Sequence, residues 1–229
     1  NIKDKKAYIK SESILAQNLV AHVQNPVDHI KIIATIVKEN KDFAILEKVN
    51  QISLLTKEFS PYFILALLNS KLINWYFYRF IVSKAIRTIG FDPPATRLIP
   101  IPNPKNTQSI SNMSEKLLEL QPQLYDEIMS QFVDSIRSTF QVTKTSPLSL
   151  KYWIEDEPDK LIQEIKKQGG SVNEPEKNTK WLSWARKHRG KREKIQLECN
   201  NMISEIDDVI YKIFGLDEEQ IDLVEKEMP

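Results

Sequence analysis

The sequence has few of the residues that build metal sites, disulfides and phosphate loops. Of its 229 residues one is a cysteine, three are histidines and five are glycines. A single cysteine, Cys199, excludes an internal disulfide framework and a multi-cysteine zinc site, and it is typical of a reducing compartment. The histidines are scattered and lack the spacing of metal ligands. Because glycine is scarce, the sequence offers few places for the glycine-rich loops that bind nucleotide phosphates.

Long hydrophobic runs and an initiator methionine are also missing. No apolar stretch approaches the roughly 20 residues that a helix needs to cross a bilayer, and no signal-peptide pattern is present. Because the chain begins at Asn1, we expect it to be a fragment of a longer, cytoplasmic protein. A hydrophobic content of 41% and a charged content of 28% are typical of a globular protein.

Charge is divided unevenly along the chain. Residues 1–100 hold 14 Lys/Arg against 8 Asp/Glu, whereas residues 101–229 hold 18 against 23. The net charges of the two parts are therefore +6 and −5. A basic first part favours a polyanionic partner, although ordinary surface variation explains the same numbers equally well.

The beginning of the chain predicts short β-strands. SILAQNLVAHV (13–23) and IKIIATIV (30–37) are rich in β-branched residues and are bounded by polar segments. ENKD (39–42) predicts a turn, and FAILEKV (43–49) with QISLLT (51–56) predicts a hairpin partner.

A helix is expected next. Ser60 is a suitable N-cap and Pro61 suits the first helical position. Apolar residues then recur at helical spacing as far as Phe80 and give one wide apolar face. Residues 81–97 predict an ordered loop. LIPIPNPK (98–105) predicts an extended boundary segment, because a residue before proline is restricted to extended conformations.

The second half of the chain predicts two long helices. Apolar residues step mostly by four from Met113 to Ile136, with Pro122 as a kink. A heptad seam from Ile195 to Ile213 requires a partner helix, and the simplest partner is the first helix folded back antiparallel.

Local signals also mark the end of the second helix. Gly215 is expected to end it, and Asp217 with Gln220 predicts a capping box for a last short helix. Residues 141–190, between the two long helices, form an insert whose role the sequence does not indicate.

Two segments resemble catalytic motifs only in part. GFDPPA (90–95) is similar to the Asn/Asp-Pro-Pro-aromatic motif of amino-group DNA methyltransferases, but Ala95 stands where the aromatic would stack on a flipped base. We therefore interpret it as a rigid turn. Asp159 and Glu164 lie in one short segment, whereas two-metal nucleases need carboxylates from separate elements. No catalytic residue is predicted in this chain.

Two basic segments are candidates for contact with nucleic acid. Residues 180–194 hold seven Lys/Arg with Trp181 and Trp184 interleaved. This composition fits phosphate contact with stacking, but it favours slightly the alternative that the tryptophans pack against the helices beneath solvated cations.

Residues 81–97 contain three cations, Lys84, Arg87 and Arg97, and a single acid, Asp92. Arginine binds guanine bidentately and lysine neutralises phosphate.

Amide and imidazole groups on the first predicted strand also suit base edges or phosphates. The predicted DNA-contacting residues are Arg79, Lys84, Arg87, Thr88, Arg97, Gln17, Asn18 and His22.

The order of these elements resembles a known family. The strand SILAQNLVAHV, the hairpin ending in LEKVNQISLLT, the helix FSPYFILALLNSKLINWYFYRF and the loop closing on LIPIP are similar to the TaqI-like specificity domain. That domain is the C-terminal target-recognition region of Type IIG restriction–modification enzymes and adenine-specific DNA methyltransferases. The resemblance covers about residues 11–105. In addition, a region that begins at about residue 195 and includes EIDDVIYKIFGLDEEQIDLVE (205–225) is similar to the closing helix of these proteins and of Type I specificity subunits.

The resemblance implies an α+β protein with two parts. Residues 1–105 would be a small mixed α/β DNA target-recognition domain, and residues 106–229 an antiparallel, coiled-coil-like helical spacer with an insert at 141–190. The implied function is sequence-specific recognition of double-stranded DNA for a methyltransferase and a nuclease on the same polypeptide. S-adenosylmethionine and Mg²⁺ are implied for that parent enzyme, and no cofactor for this fragment. The alternative is a helical dimerisation or scaffold module with incidental basic patches.

Overall fold

The protein is of the α+β class, as predicted. A computed structural model describes residues 8–10, 12–37, 44–45, 47–85, 89–102, 107–143, 153, 157–172 and 175–229. The chain forms two compact units: unit 1 comprises Asn1–Leu118 with Met202–Pro229, and unit 2 comprises Glu119–Asn201. The domain boundary near residue 105 stays a prediction.

Unit 1 contains two small antiparallel sheets. In the first, β1 (Ile14–Gln17) lies between β4 (Ala34–Ile36) and β5 (Val49–Ile52), and in the second, β2 (Ala21–Val23) pairs with β3 (His29–Lys31). Each of the two runs predicted as one strand is therefore divided into two. Of the predicted hairpin partner, Glu47 and Lys48 form a turn, Val49–Ile52 is strand β5, and residues 53–56 are not strand. The turn predicted at 39–42 lies outside the described residues.

The division of the first run has a non-local cause. Between β1 and β2, Leu19 forms a β-bridge with Gly90, and the Val20 amide donates to the Ile89 carbonyl over 3.1 Å. The backbone here pairs with the segment that closes the 81–97 loop, so it leaves the first sheet.

The first helix is shorter than its apolar pattern predicts. α1 (Pro61–Asn69) begins as expected, with Ser60 Oγ accepting the Tyr62 amide at 3.2 Å. Ser70 is extended, so it ends α1 and then caps α2 (Lys71–Tyr76) by accepting the Ile73 amide at 3.3 Å. A π-helical segment (Phe77–Ile81) and the short α3 (Pro93–Thr96) follow.

Two asparagines attach these helices to the strands. Asn69 accepts the Ala34 amide at 3.3 Å and donates to the Ala34 carbonyl at 3.1 Å. Asn74, only 3% exposed, accepts the Ile32 amide at 2.6 Å and donates to the carbonyls of Leu68 and Ser70. Since a buried backbone amide without a partner is costly, these side chains explain the Asn-Ser-Lys-Leu-Ile-Asn sequence at 69–74 as a structural motif.

In the described part of the chain the other named helices are α4 (Gln108–Pro122), α5 (Ser130–Phe140), α6 (Pro158–Lys167), α7 (Pro175–Phe214) and α8 (Glu218–Glu227). Pro122 ends the regular part of α4, and a π-helical segment (Gln123–Met129) follows it, consistent with the expected irregularity. Gly215, with φ +70°, follows α7 as predicted. The Asp217–Gln220 capping box of α8 is also confirmed.

The heptad seam of α7 is used in two separate cores. Ile206 is buried in the core of unit 1, and Met113 and Leu117 of α4 pack against that core. Ile195 packs against the core of unit 2 instead. Cys199 is buried, and burial, followed by the charge of Glu198, raises the pKa of its thiol.

Unit 2 has an aromatic core that includes part of the 141–190 insert. Phe132 stacks on Trp153 with ring centroids 3.8 Å apart, and Trp181 meets Phe140 edge-on at 5.0 Å. The Trp181 indole N–H donates to Ser135 Oγ at 3.0 Å. Trp181 is therefore a core residue, and Trp184 packs against the same core.

Among the described helices, none is long and apolar enough to cross a membrane.

Candidate nucleic-acid interface

The end of the 81–97 loop is fastened to the strands of unit 1. Phe91 is buried, and its amide donates to the Asn18 carbonyl at 2.6 Å. The Asn50 side chain donates to the Phe91 carbonyl. Asp92 then caps α3 by accepting the Ala95 amide at 3.3 Å. GFDPPA is thus a rigid segment with an N-capped helical turn, consistent with a structural role.

Arg97 lies just after this helical turn. Its side chain is exposed, and its Nε donates to the Pro93 carbonyl at 3.0 Å. No acceptor for its two terminal nitrogens lies within the described residues. The guanidinium is therefore oriented by one hydrogen bond while its paired N–H groups remain available, which is the arrangement required for bidentate binding to guanine or phosphate.

The beginning of the loop is held by a charged cluster around the C-terminal helix. Arg79 Nη1 lies 2.9 and 3.0 Å from the two Glu227 carboxylate oxygens, and Lys84 Nζ lies 3.2 Å from Oε1. The Trp75 indole donates to Glu227 Oε2 at 2.8 Å, and the Arg79 guanidinium lies 5.4 Å from the Trp75 ring centroid. We call these four residues the Glu227 cluster.

The backbone next to the cluster adopts a conformation that side chains disfavour. Ser83 and Lys84 have φ angles of +50° and +56°, in the left-handed region. The Lys84 amide donates to the Tyr78 carbonyl at 2.8 Å. The ion pair from Lys84 to Glu227 therefore acts on a tight, locally strained turn at the start of the loop.

The electrostatics of the cluster favour ionised Glu227. Burial opposes its ionisation, but hydrogen bonds from Lys84 and Trp75, with the charges of Arg79 and Lys84, outweigh burial and lower its pKa. Nearby, burial and then the charges of Asp28 and Glu227 raise the pKa of Tyr78. The candidate cations Arg79 and Lys84 thus share one internal carboxylate, which offsets one of their two positive charges.

The residues predicted on the first strand have different surroundings. Gln17 is exposed at the end of β1, and its backbone N–H donates to the Ile33 carbonyl at 3.0 Å. The Asn18 side chain lies 3.4 Å from both the Glu47 carbonyl and the Asn50 amide.

His22 lies on β2, apart from Gln17 and Asn18 on the chain. Its Nε2 is 3.4 Å from Asp28 Oδ1, within ion-pair distance but without hydrogen-bond geometry. Arg87 and Thr88 lie outside the described residues.

The structure thus places the described candidates in small groups. Asn18 adjoins the Phe91 end of the loop, whereas Arg79 and Lys84 meet at Glu227. Sequence reasoning missed Asn50 and Glu227, the residues that fix the loop. Glu227 is 143 positions from Lys84, and no local pattern links them. Among the described residues, no group of three His, Cys, Asp or Glu could hold a metal ion.

Two family models match the chain. Residues 1–100 match the TaqI-like C-terminal specificity domain, and residues 103–210 match a domain of unknown function (DUF8810). No curated protein and no solved structure matches the chain significantly. The first match indicates DNA target recognition in a restriction–modification system. The loop and strands described above therefore lie in the part of the chain, residues 1–100, that is similar to the TaqI-like C-terminal specificity domain.

Proposed function

We propose that unit 1 reads a specific sequence of double-stranded DNA and holds the duplex for catalytic domains on the same polypeptide. Those domains would form a Type IIG restriction endonuclease with N6-adenine methyltransferase activity, acting in the cytoplasm. The observation that carries the proposal is the match of residues 1–100 to a specificity domain. S-adenosylmethionine and Mg²⁺ would be bound by the catalytic domains, and the described residues of this chain offer no metal cluster.

The two anchors of the 81–97 loop support a reading role. Sequence is read by side chains that meet base edges, and side chains ordered before binding cost less conformational entropy on association. Phe91 is bonded to Asn18 and Asn50 at one end of the loop, and Lys84 is bonded to Glu227 at the other. The loop can therefore present its side chains from a fixed base.

Arg97 is the described side chain best suited to this role. It is exposed, and the Pro93 carbonyl holds its Nε. Lysine could not replace it, because an ammonium group lacks the planar pair of donors that matches guanine O6 and N7. Arg87 belongs to the same proposal on sequence grounds alone.

Replacement of either arginine tests this assignment. We expect Arg97→Ala and Arg87→Ala each to weaken binding to the preferred duplex by about 1–3 kcal/mol and to relax sequence choice at one position. The preferred duplex would first be selected from a randomised pool, and affinities would be measured at constant salt. Arg137→Ala, which removes the same charge from an exposed position on α5, is the matched control.

Equal affinities for Arg97→Ala, Arg87→Ala and Arg137→Ala would show that the 81–97 loop does not contact DNA. Sedimentation of the chain with and without duplex addresses the dimerisation alternative. A concentration-dependent dimer that ignores DNA would favour the scaffold role over sequence recognition.

A further inference from the structure

Four exposed lysines lie along one side of α7 in unit 2: Lys180, Lys187, Lys191 and Lys194. We call this surface the lysine face. Within the described residues none of the four has an ion-pair partner. At about 100° and 1.5 Å per residue, the face occupies about 60° of the helix circumference and about 21 Å of its length.

The lysine face is distinct from the surface by which α7 packs. Trp181 and Ala185 are buried in the core of unit 2, and by the same helical geometry they are turned about 120° away from the lysine face. The tryptophans of this segment are therefore used for packing. Trp184, half-buried against the same core, lies about 20° from the edge of the lysine face, between Lys180 and Lys187 along the chain.

Acidic residues do little to offset this charge along the helix. From residue 180 to residue 198 there are two acids against seven Lys/Arg: Glu193, whose Oε1 lies 3.3 Å from Arg189 Nε, and Glu198, four positions after Lys194. Lys187 and Lys191 are four positions apart, a spacing at which like charges on a helix repel one another. A bound polyanion would relieve that repulsion.

The pKa of His188 responds to the positive charge of the neighbouring lysines. Its ring centroid lies 4.0 Å from that of Trp184. Burial is the main cause that lowers the pKa of His188, and the charges of Lys191 and Lys187 lower it further. A phosphate group bound next to these lysines would act in the opposite direction and raise this pKa.

We propose that the lysine face of α7 binds the phosphate backbone of duplex DNA without regard to sequence. Lysine is a compact charge on a flexible stem, which suits phosphate neutralisation rather than base reading. A face of about 21 Å matches the axial rise of about six base pairs at 3.4 Å each. The inference rests on the proposed function, which supplies the duplex as partner.

The salt dependence of binding tests the inference in the complete chain. The variant Lys180→Gln/Lys187→Gln/Lys191→Gln/Lys194→Gln would be titrated with duplex of random sequence between about 50 and 200 mM salt. The control is Lys57→Gln/Lys166→Gln/Lys212→Gln/Lys226→Gln, which removes the same charge from exposed lysines elsewhere. Each lost phosphate contact lowers the slope of log affinity against log salt by about 0.9. We therefore expect a slope smaller by about 3–4 for the lysine-face variant and by less than about 1 for the control.

A second measurement reports the position of the bound phosphates. The pKa of His188, followed by NMR in the wild-type chain, should rise when random duplex is added. Equal salt slopes for the two quadruple variants, with no rise in the His188 pKa, would overturn the inference. Loss of binding to phosphatidylserine vesicles by the lysine-face variant, with unchanged DNA binding, would also overturn it and identify a membrane surface as the partner.

The same experiments separate this inference from the proposed function. If the preferred duplex still binds selectively while the slopes are equal, only the lysine face is excluded. If the slopes differ but no sequence is preferred, the lysine face is retained and sequence recognition is excluded.

Discussion

At the scale of single residues, Asp207 is a buried carboxylate with a structural task. It is 3% exposed, and its Oδ1 accepts the Lys71 amide at 2.9 Å at the start of α2. Burial raises its pKa from an ordinary 3.8 to about 6, against the smaller opposing effects of the Lys71 hydrogen bond and charge. The carboxylate therefore holds a helix end at a cost when it is ionised.

This raised pKa predicts how stability depends on pH. The folded state binds the Asp207 proton more tightly than the unfolded state does. The stability gained from this tighter proton binding is therefore fully present below pH 3.8 and is lost as the pH rises through about 6. A shift of this size corresponds to about 3 kcal/mol at most. Asp207→Asn keeps an acceptor for the Lys71 amide and cannot ionise. We expect this variant to lose the decline in unfolding free energy between about pH 4 and 7, measured by urea titration.

Asp208→Asn is the matched control for this experiment, because Asp208 is the exposed neighbour on the same helix. It should retain most of the wild-type dependence on pH, because the charge of Asp208 is the smallest of the causes that raise the pKa of Asp207. Parallel pH curves for the wild type and Asp207→Asn would show that Asp207 does not carry the buried-carboxylate penalty.

At the scale of elements, the end of α8 contacts the start of the 81–97 loop. Glu227 lies in the last turn of α8 and binds Trp75, Arg79 and Lys84, which belong to α2, the π-helical segment and the loop. The lowered pKa of Glu227 means that its stabilisation is present above the ordinary carboxyl pKa and is lost as pH falls through the lower, folded value. The loop is thus anchored at neutral pH.

Glu227→Gln tests whether this contact restrains the loop and offsets part of the positive charge of Arg79 and Lys84. Removal of the charge should release Arg79 and Lys84, so we expect tighter, more salt-dependent binding to random duplex. We also expect faster hydrogen exchange of the Lys84 and Ala85 amides, which are bonded to the Tyr78 and Val82 carbonyls.

The control for this variant is Glu219→Gln, an equal loss of charge at an exposed position in the first turn of the same helix. If the two variants bind duplex equally and their loop amides exchange at the same rate, Glu227 has no role in holding the loop.

At the scale of the whole molecule, short-range features were predictable and long-range features were not. Ser60, Gly215 and the Asp217–Gln220 box mark helix ends by interactions within a few residues, and the structure confirms all three. The break in the first helix at Ser70 was missed, because a helical apolar pattern continues across it and the cap competes locally with the helix.

In the candidate interface, too, the long-range contacts could not be predicted from the sequence. The proposed location of the interface in the basic first part rests on composition and family resemblance and stays a prediction. The anchors could not be predicted, because Asn50 binds Phe91 across 41 positions and Glu227 binds Arg79 across 148. Such contacts depend on the packed arrangement of elements, which periodicity and spacing do not encode.

Selective binding by the complete chain tests the central claim most directly. A duplex pool with a randomised core would be enriched on the protein, and affinities for the enriched sequence and a scrambled sequence would be compared at the same salt concentration. Sequence recognition by unit 1 predicts one enriched sequence, bound at least about 10³-fold more tightly than the scrambled duplex. A ratio near one, after full enrichment, would contradict the account.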